Sequence, residues 1–291
     1  MEETREISAL FHLMDDPDGE VFTLVSERII SFGKNIIPNL EHLWENTPDE
    51  NTQERIELLI HRLHFRDLTD DFTRWKDQPE PDLLGGALLA AKYQYPELTA
   101  PQALQEIEKM RRNIWLELNG YLTCLEQTKV ITTILYKYYR IKGVEVAYTE
   151  PNDFLLNKLL DARKGNSLNN GILLLIISNL LDIPIRAVNI PRQFILAYYD
   201  VEDGDWEEIK KNPADRIQFY IDPTNGQVYT QKDVDTYFHR ISVPPVTSYF
   251  KPLDNKKVIQ LLLEELAKCF EKDKHLYKYN ELMGLSDLLG E

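Results

Sequence analysis

Apolar positions recur with helical spacing over most of the chain and with strand spacing over one short stretch. Ile7, Leu10, Phe11 and Met14 fall on one helical face. Val21, Leu24, Val25, Ile29 and Phe32 fall on a second, with Gly33 as a C-terminal stop. Ile36, Ile37, Leu40, Leu43 and Trp44 form a third stripe. Thr47-Pro-Asp-Glu50 has the form of a capping box with proline at the first helical position, and it predicts a helix carrying Ile56, Leu59, Ile60 and Leu63. The first 65 residues thus read as stacked helix pairs. More helix is predicted for the apolar segment Pro81–Tyr93, for residues 100–118, and for Thr123–Ile141, which opens at Cys124.

The texture changes near Gly143. Asp153–Asp161 reads as a helix, and Arg163–Gly171 as a polar, turn-rich loop. Ile172–Leu181 is apolar all round, the signature of a buried helix. Ile185–Ile190 and Gln193–Tyr199, separated by Pro191-Arg192, form a natural hairpin. Arg216–Asp222 alternates, with Ile217, Phe219 and Ile221 on one face and Gln218, Tyr220 and Asp222 on the other. Asn225-Gly226 is a two-residue hairpin signal leading into Val228-Tyr229. Residues 201–215 are acidic and polar, an exposed loop. Asp254–Leu289 predicts two helices, the first carrying Val258, Leu261, Leu262 and Leu266. The fold class expected is α+β and mostly helical. A helical region spans 1–80, an α+β core with a small antiparallel sheet spans 81–250, and a helical hairpin closes the chain over 251–291.

Charge sharpens this division. The 291 residues carry 48 acidic and 33 basic side chains, a net of −15. Residues 1–80 hold 19 acidic against 8 basic, a net of −11, and the remainder only −4. Such a chain repels phosphate backbones, so nucleic-acid binding is not expected. The acidic helices either attract a basic protein or peptide partner or simply keep the surface soluble. The longest apolar run, Ile172–Ile177, is too short for a membrane span, and Met1-Glu-Glu-Thr-Arg5 lacks the form of a signal peptide. A cytoplasmic protein without membrane partners is expected.

Cys124 and Cys269 are the only cysteines and are far apart, which excludes a disulfide framework or a Cys-rich zinc module. Cys124 reads as a small residue at a helix start, with no local histidine to activate it. His61 and His64 are three apart on a helix, but no third metal ligand accompanies them, and no Gly-rich phosphate loop is present. No metal or cofactor is expected.

Two resemblances organise the rest. Leu10…Asp15-Asp16-Pro17…Val21…Gly33…Ile37-Pro38…Leu40…Leu43 resembles a HEAT-type helical repeat, and one copy must pack on its neighbours to be stable. Three later stretches resemble the SirB-type family of transglutaminase-like proteins. They are Asn152-Asp-Phe-Leu…Arg163-Lys-Gly165-Asn-Ser167-Leu, Leu181-Asp-Ile-Pro…Ile190-Pro-Arg-Gln193-Phe-Ile-Leu196, and Phe219-Tyr-Ile-Asp222-Pro223. The resemblance implies a papain-like core with a tetratricopeptide-like C-terminal hairpin. In enzymes of this core a thiol sits at a helix N-terminus, where the dipole lowers its pKa. A histidine on a neighbouring strand takes its proton, and an acid or amide on the next strand orients the histidine.

This chain departs from that pattern. Asn169 stands in the nucleophile's slot, Gln193 in the histidine's, and only the acid is kept, as Asp222. Neither amide does the chemistry of the residue it replaces. Ser167 is a conceivable nucleophile but has no activating base. The expected function is therefore a catalytically inactive transglutaminase-like protein that binds or scaffolds. Its ligand groups would be Arg163, Asn169, Asn170, Gln193 and Asp222. The alternative is a hydrolase of the same fold using Asp222 as base. Each residue also has a plain structural reading: Asp222 capping a turn, Arg163 anchoring a loop, Asn169 and Asn170 capping a helix. A further possibility is a hydrogen bond from Gln193 to Asp222 or Asn169 across the old site.

Overall fold

The computed structural model describes residues 2–14, 18–201, 206–209, 211–272 and 276–290. The Asp15-Asp16-Pro17 part of the repeat string and part of the acidic 201–215 stretch lie outside them. The chain is α+β and mostly helical, and it divides into two compact units, Met1–Arg74 and Trp75–Glu291.

The first unit is built from α1 (Glu2–His12), α2 (Gly19–Ser31), α3 (Ile37–Asn46) and most of α4 (Glu50–Lys76). Its core is the predicted stripes brought together: Met14, Val25, Ile29, Leu40, Ile56, Leu59 and Leu63 are all buried. Two arginines of α4 reach the carbonyl ends of earlier segments, Arg55 donating to Met14 O at 3.0 Å and Arg66 to Ile30 O at 2.7 Å. Cations are favoured there because the last helical carbonyls lack intrahelical partners. The start of α4 differs from the expected capping box. The cap is Asp49, whose Oδ2 accepts from Thr52 N and Thr52 Oγ1, both at 2.8 Å. Thr47 instead turns its hydroxyl back to Leu43 O. A carboxylate three residues before an exposed N–H is the stronger acceptor at a positive helix end, and those bonds hold Asp49 below the usual carboxylate range.

The second unit is organised around α9 (Ser167–Leu180), which is buried on every side from Leu168 to Ser178. Around it lie α5 (Leu83–Lys92), α6 (Ala100–Trp115), α8 (Leu156–Ala162), α12 (Asn255–Ala267) and one face of a sheet. α7 (Cys124–Thr132) opens with a true capping box, Thr123 with Glu126, and runs into a π-helical turn over Thr133–Tyr138. Two short parallel strands, β1 (Lys142–Val144) and β2 (Lys164–Asn166), lead into α9. The main sheet is an antiparallel meander of β3 (Ile185–Ile190), β4 (Gln193–Tyr199), β5 (Ile217–Ile221) and β6 (Val228–Tyr229). α10 (Trp206–Ile209) and α11 (Gln231–Ile241) pack on the sheet face turned away from α9, and α12 pairs with α13 (Leu276–Gly290).

Two local expectations change here. The polar loop before the buried helix is shorter than its composition suggests, because β2 and the first turn of α9 occupy it. Asn166 is the N-cap, its Oδ1 accepting from Asn169 N at 3.0 Å, so Asn169 and Asn170 lie inside the helix and do not cap it. Second, β5 and β6 are joined by six residues rather than a two-residue hairpin, since Ile221 pairs with Val228. Asp222 N donates to Gln227 O and Gly226 N to Asp222 O, and Gly226 takes the positive φ of 76° that this turn requires.

Candidate functional site

The side-chain alternation of β4 decides which expected site residues can meet. Gly171 of α9 lies so close to β4 that a Cβ there would come within 2.5 Å of the Phe194 ring and 3.3 Å of Pro223 Cβ. Phe194, and with it Leu196 and Tyr198, therefore faces α9. Gln193, Ile195, Ala197 and Tyr199 face the other way, toward the cluster formed with Val188, Tyr220, Val234 and Phe238. The β4–β5 register pairs Leu196 with Ile221, and its continuation sets Asp222 opposite Ile195, on the same face as Gln193.

The structure thus divides the five candidates. Gln193 and Asp222 line one cavity of about 390 Å³, bounded on its far side by Asp233, Tyr237 and Arg240 of α11 and by Tyr229 of β6. Asn169 and Asn170 belong to the α9 side and are sealed, at 0% and 2% exposure. Asn169 Nδ2 donates to Asp153 O at 3.1 Å. Among the described residues no hydrogen bond joins Asn169, Gln193 and Asp222, so the expected contact across the old site is not made. Arg163 is elsewhere again. It ends α8 in a left-handed conformation, φ 55°, and its Nη2 binds Glu106 Oε2 of α6 at 2.6 Å while the guanidinium lies over Tyr139. That is an anchoring role.

Asp222 serves its turn as well as the cavity. Its Oδ1 accepts from Thr224 N at 2.7 Å, an Asx-type turn that positions Pro223 against α9. Asp233 is held by both Thr230 N and Thr230 Oγ1 at 2.8 and 2.7 Å, and those bonds keep its carboxyl below the usual range. Burial pushes the Tyr229 phenol up, and the carboxylates of Asp222 and Asp233 push it further. Tyr237 closes the cavity end by donating to Pro191 O at 2.8 Å. The wall therefore offers two carboxylates, one carboxamide and two phenols, that of Tyr229 held neutral, with Arg240 as the cation. It suits hydrogen bonding to a small polar or cationic group.

Reading the sequence alone passed over Tyr229, Asp233, Tyr237 and Arg240. The signal was there: Thr230-Gln-Lys-Asp233 has capping-box spacing, and Val234, Phe238 and Ile241 follow with helical period. Neither cysteine lines the cavity. Cys269 is pushed up to about 12 by burial and by Glu265, which leaves it a thiol at neutral pH. Among the described residues no three histidine, cysteine or acidic side chains group to hold a metal, and no helix is long and apolar enough to cross a membrane.

A buried helix is followed by an antiparallel meander whose face turned from the helix opens to a polar cavity. The family model described as the transglutaminase-like superfamily matches residues 101–264, more than half of the chain. The chain belongs to this superfamily. The transglutaminase-like span runs from α6 into α12 and includes α9, the whole meander and α11. A UPF0162 protein from Vibrio cholerae is 22% identical over 210 residues, 71% of this chain and 72% of the relative. The UPF0162 protein BU173 from Buchnera aphidicola is 24% identical over 146 residues, 49% of each chain. No solved structure matches.

Proposed function

We propose that this transglutaminase-like protein is a non-catalytic member of the SirB-type branch, acting as a binding or scaffolding module. What supports the reading is the lining of the Gln193–Asp222 cavity, which among the described residues holds neither cysteine nor histidine; Asn169, fully buried and bonded to Asp153 O, lies outside that cavity, so the three residues do not form one degenerate triad. An amide so held neither attacks a carbonyl nor meets a partner that could activate it. The cavity between β4 and α11 is the ligand site of this reading. Gln193 and Asp222 supply hydrogen bonds to a peptide or small polar ligand.

The test is direct. The purified full chain should show no amidase, peptidase or transglutaminase turnover above blank. Compounds or peptides that raise its melting temperature should lose that effect in Gln193→Ala. Robust turnover that disappears in Asp222→Ala would sink the proposal and favour the hydrolase alternative, which predicts a pH–rate profile with one acidic limb lost in Asp222→Asn. Against that alternative, the second carboxylate of the cavity, Asp233, is committed to Thr230 and kept ionised, so it makes a poor general acid. In this reading the acidic N-terminal helices engage a basic protein partner, and complex yield falls as salt rises.

A further inference from the structure

Arg186 lies on β3 at the floor of a groove of about 1190 Å³, separate from the Gln193–Asp222 cavity. The groove runs between the segment before α5, the C-terminal end of α9 and the strand β3. Apolar side chains form much of its wall, among them Leu83, Leu180, Ile183 and Trp206. Leu180 is 47% exposed there, a large apolar side chain left in water. The Arg186 guanidinium stacks on the Trp206 ring, 4.3 Å from its centroid. Its Nη1 donates to Asn179 Oδ1 at 2.8 Å and to Ile185 O at 2.9 Å.

What remains unused is the chemically telling part. Among the described residues the Nε and Nη2 donors of Arg186 have no partner, and neither is sealed from solvent. Those two nitrogens form the edge of a guanidinium that receives a carboxylate with two parallel hydrogen bonds. No carboxylate among the described residues forms an ion pair with Arg186, although four line the groove: Glu80, Asp82, Asp182 and Asp254. Asp82 and Asp254 are occupied as the N-caps of α5 and α12. Burial works against the arginine's charge, so a partner anion recovers desolvation already incurred.

We propose that this groove binds an extended peptide segment of a partner protein, in which one glutamate or aspartate side chain, flanked by apolar residues, docks on the Nε–Nη2 edge of Arg186. The stacked and tethered guanidinium is pre-organised, so little side-chain entropy is lost on binding. The apolar wall takes the flanking side chains. The groove's own carboxylates select against dense negative charge, which excludes polyphosphate and nucleic acid. A volume above the ~300–1,000 Å³ usual for small-molecule pockets fits several residues of peptide.

The probe is an acetylated, amidated heptapeptide, Gly-Leu-Leu-Glu-Leu-Pro-Gly, titrated calorimetrically into the full chain at low ionic strength. Its glutamine counterpart should bind about tenfold more weakly. Arg186→Lys keeps the charge but removes the fork, and should weaken the glutamate peptide by a similar factor while leaving the glutamine peptide unchanged. Leu180→Glu, at a half-exposed position at the end of α9, should leave the urea midpoint near that of wild type and weaken the glutamate peptide about tenfold by repulsion and by competing for Arg186. The proposal is overturned if the wild-type chain binds neither peptide, if it binds both equally, or if both variants bind as the wild type does. Binding that requires a free C-terminal carboxylate, whether or not the peptide carries glutamate, overturns the side-chain assignment.

Discussion

The two faces of the four-stranded sheet carry different kinds of polar residue. Beside α9 the amides are sealed: Asn166, Asn169 and Asn170 are buried, and among the described residues several of their polar atoms have no side-chain or backbone partner. Against α11, Gln193 and Asp222 open into a cavity and keep contact with solvent. The Asn169 and Asn170 side chains lie beside Gly165 of β2, away from the cavity that Gln193 and Asp222 share. One face is a core with polar inclusions, the other a surface that can take a ligand. The pleat, and not proximity in a motif, decides which polar residues share space.

The comparison can be broken most severely from the α9 side. Ile172→Ala, at a fully buried position, should cost about 2–5 kcal/mol in urea denaturation. Gly171→Val, which drives methyl groups into Phe194 and Pro223, should cost about 1–3 kcal/mol and displace the turn that holds Asp222. Unchanged urea midpoints in both would mean that α9 is not seated on β4.

A finer discrimination sets one amide against the other. Asn169→Ala removes the bond to Asp153 O from a sealed site and should destabilise by about 1–3 kcal/mol. Gln193→Ala, exposed at the start of β4, should stay within about 0.5 kcal/mol of wild type. Equal effects would remove the distinction between a structural and a ligand-facing amide.

The smallest expected effect concerns pH. Asp233 is depressed in the folded chain by its two bonds from Thr230, so its contribution is present above the unfolded carboxylate value of about 3.9 and is lost as pH falls through the folded value. Wild type should therefore be more stable than Asp233→Asn at pH 7, and the gap should close below about pH 4. A gap that persists at low pH would point to packing, not charge, at the start of α11.

Much of the architecture was legible in the residues. Most of the stripes of the first 65 residues became the buried core of the first unit, although Leu24 and Trp44 of those stripes face solvent, and the uniformly apolar Ile172–Leu181 became the centre of the second unit. Alternation over 216–222 foretold a strand, although Tyr220 on its polar side is fully buried because α11 covers that face. Boundaries fared worse for a local reason: Thr47 and Asp49 compete for one helix start, and Asn166, Asn169 and Asn170 for another. Side-chain reach to a particular N–H settles each competition, and composition does not encode reach. α11 was missed as an element, and with it half of the cavity wall.

By itself the sequence determined the period of each segment and the chemistry of the side chains at 169, 193 and 222. Those are properties of local spacing and of residue chemistry. Only the tertiary structure decided that Gln193 shares a cavity with Asp222 and not with Asn169. Strand side chains alternate with a period of two, so facing depends on register against neighbours distant in sequence, and a shift of one residue would reverse every assignment. The same holds for Arg186, ordinary within Ile185–Ile190 and distinctive only once the Trp206 ring stacks on its guanidinium and Asn179 Oδ1 and Ile185 O take its Nη1.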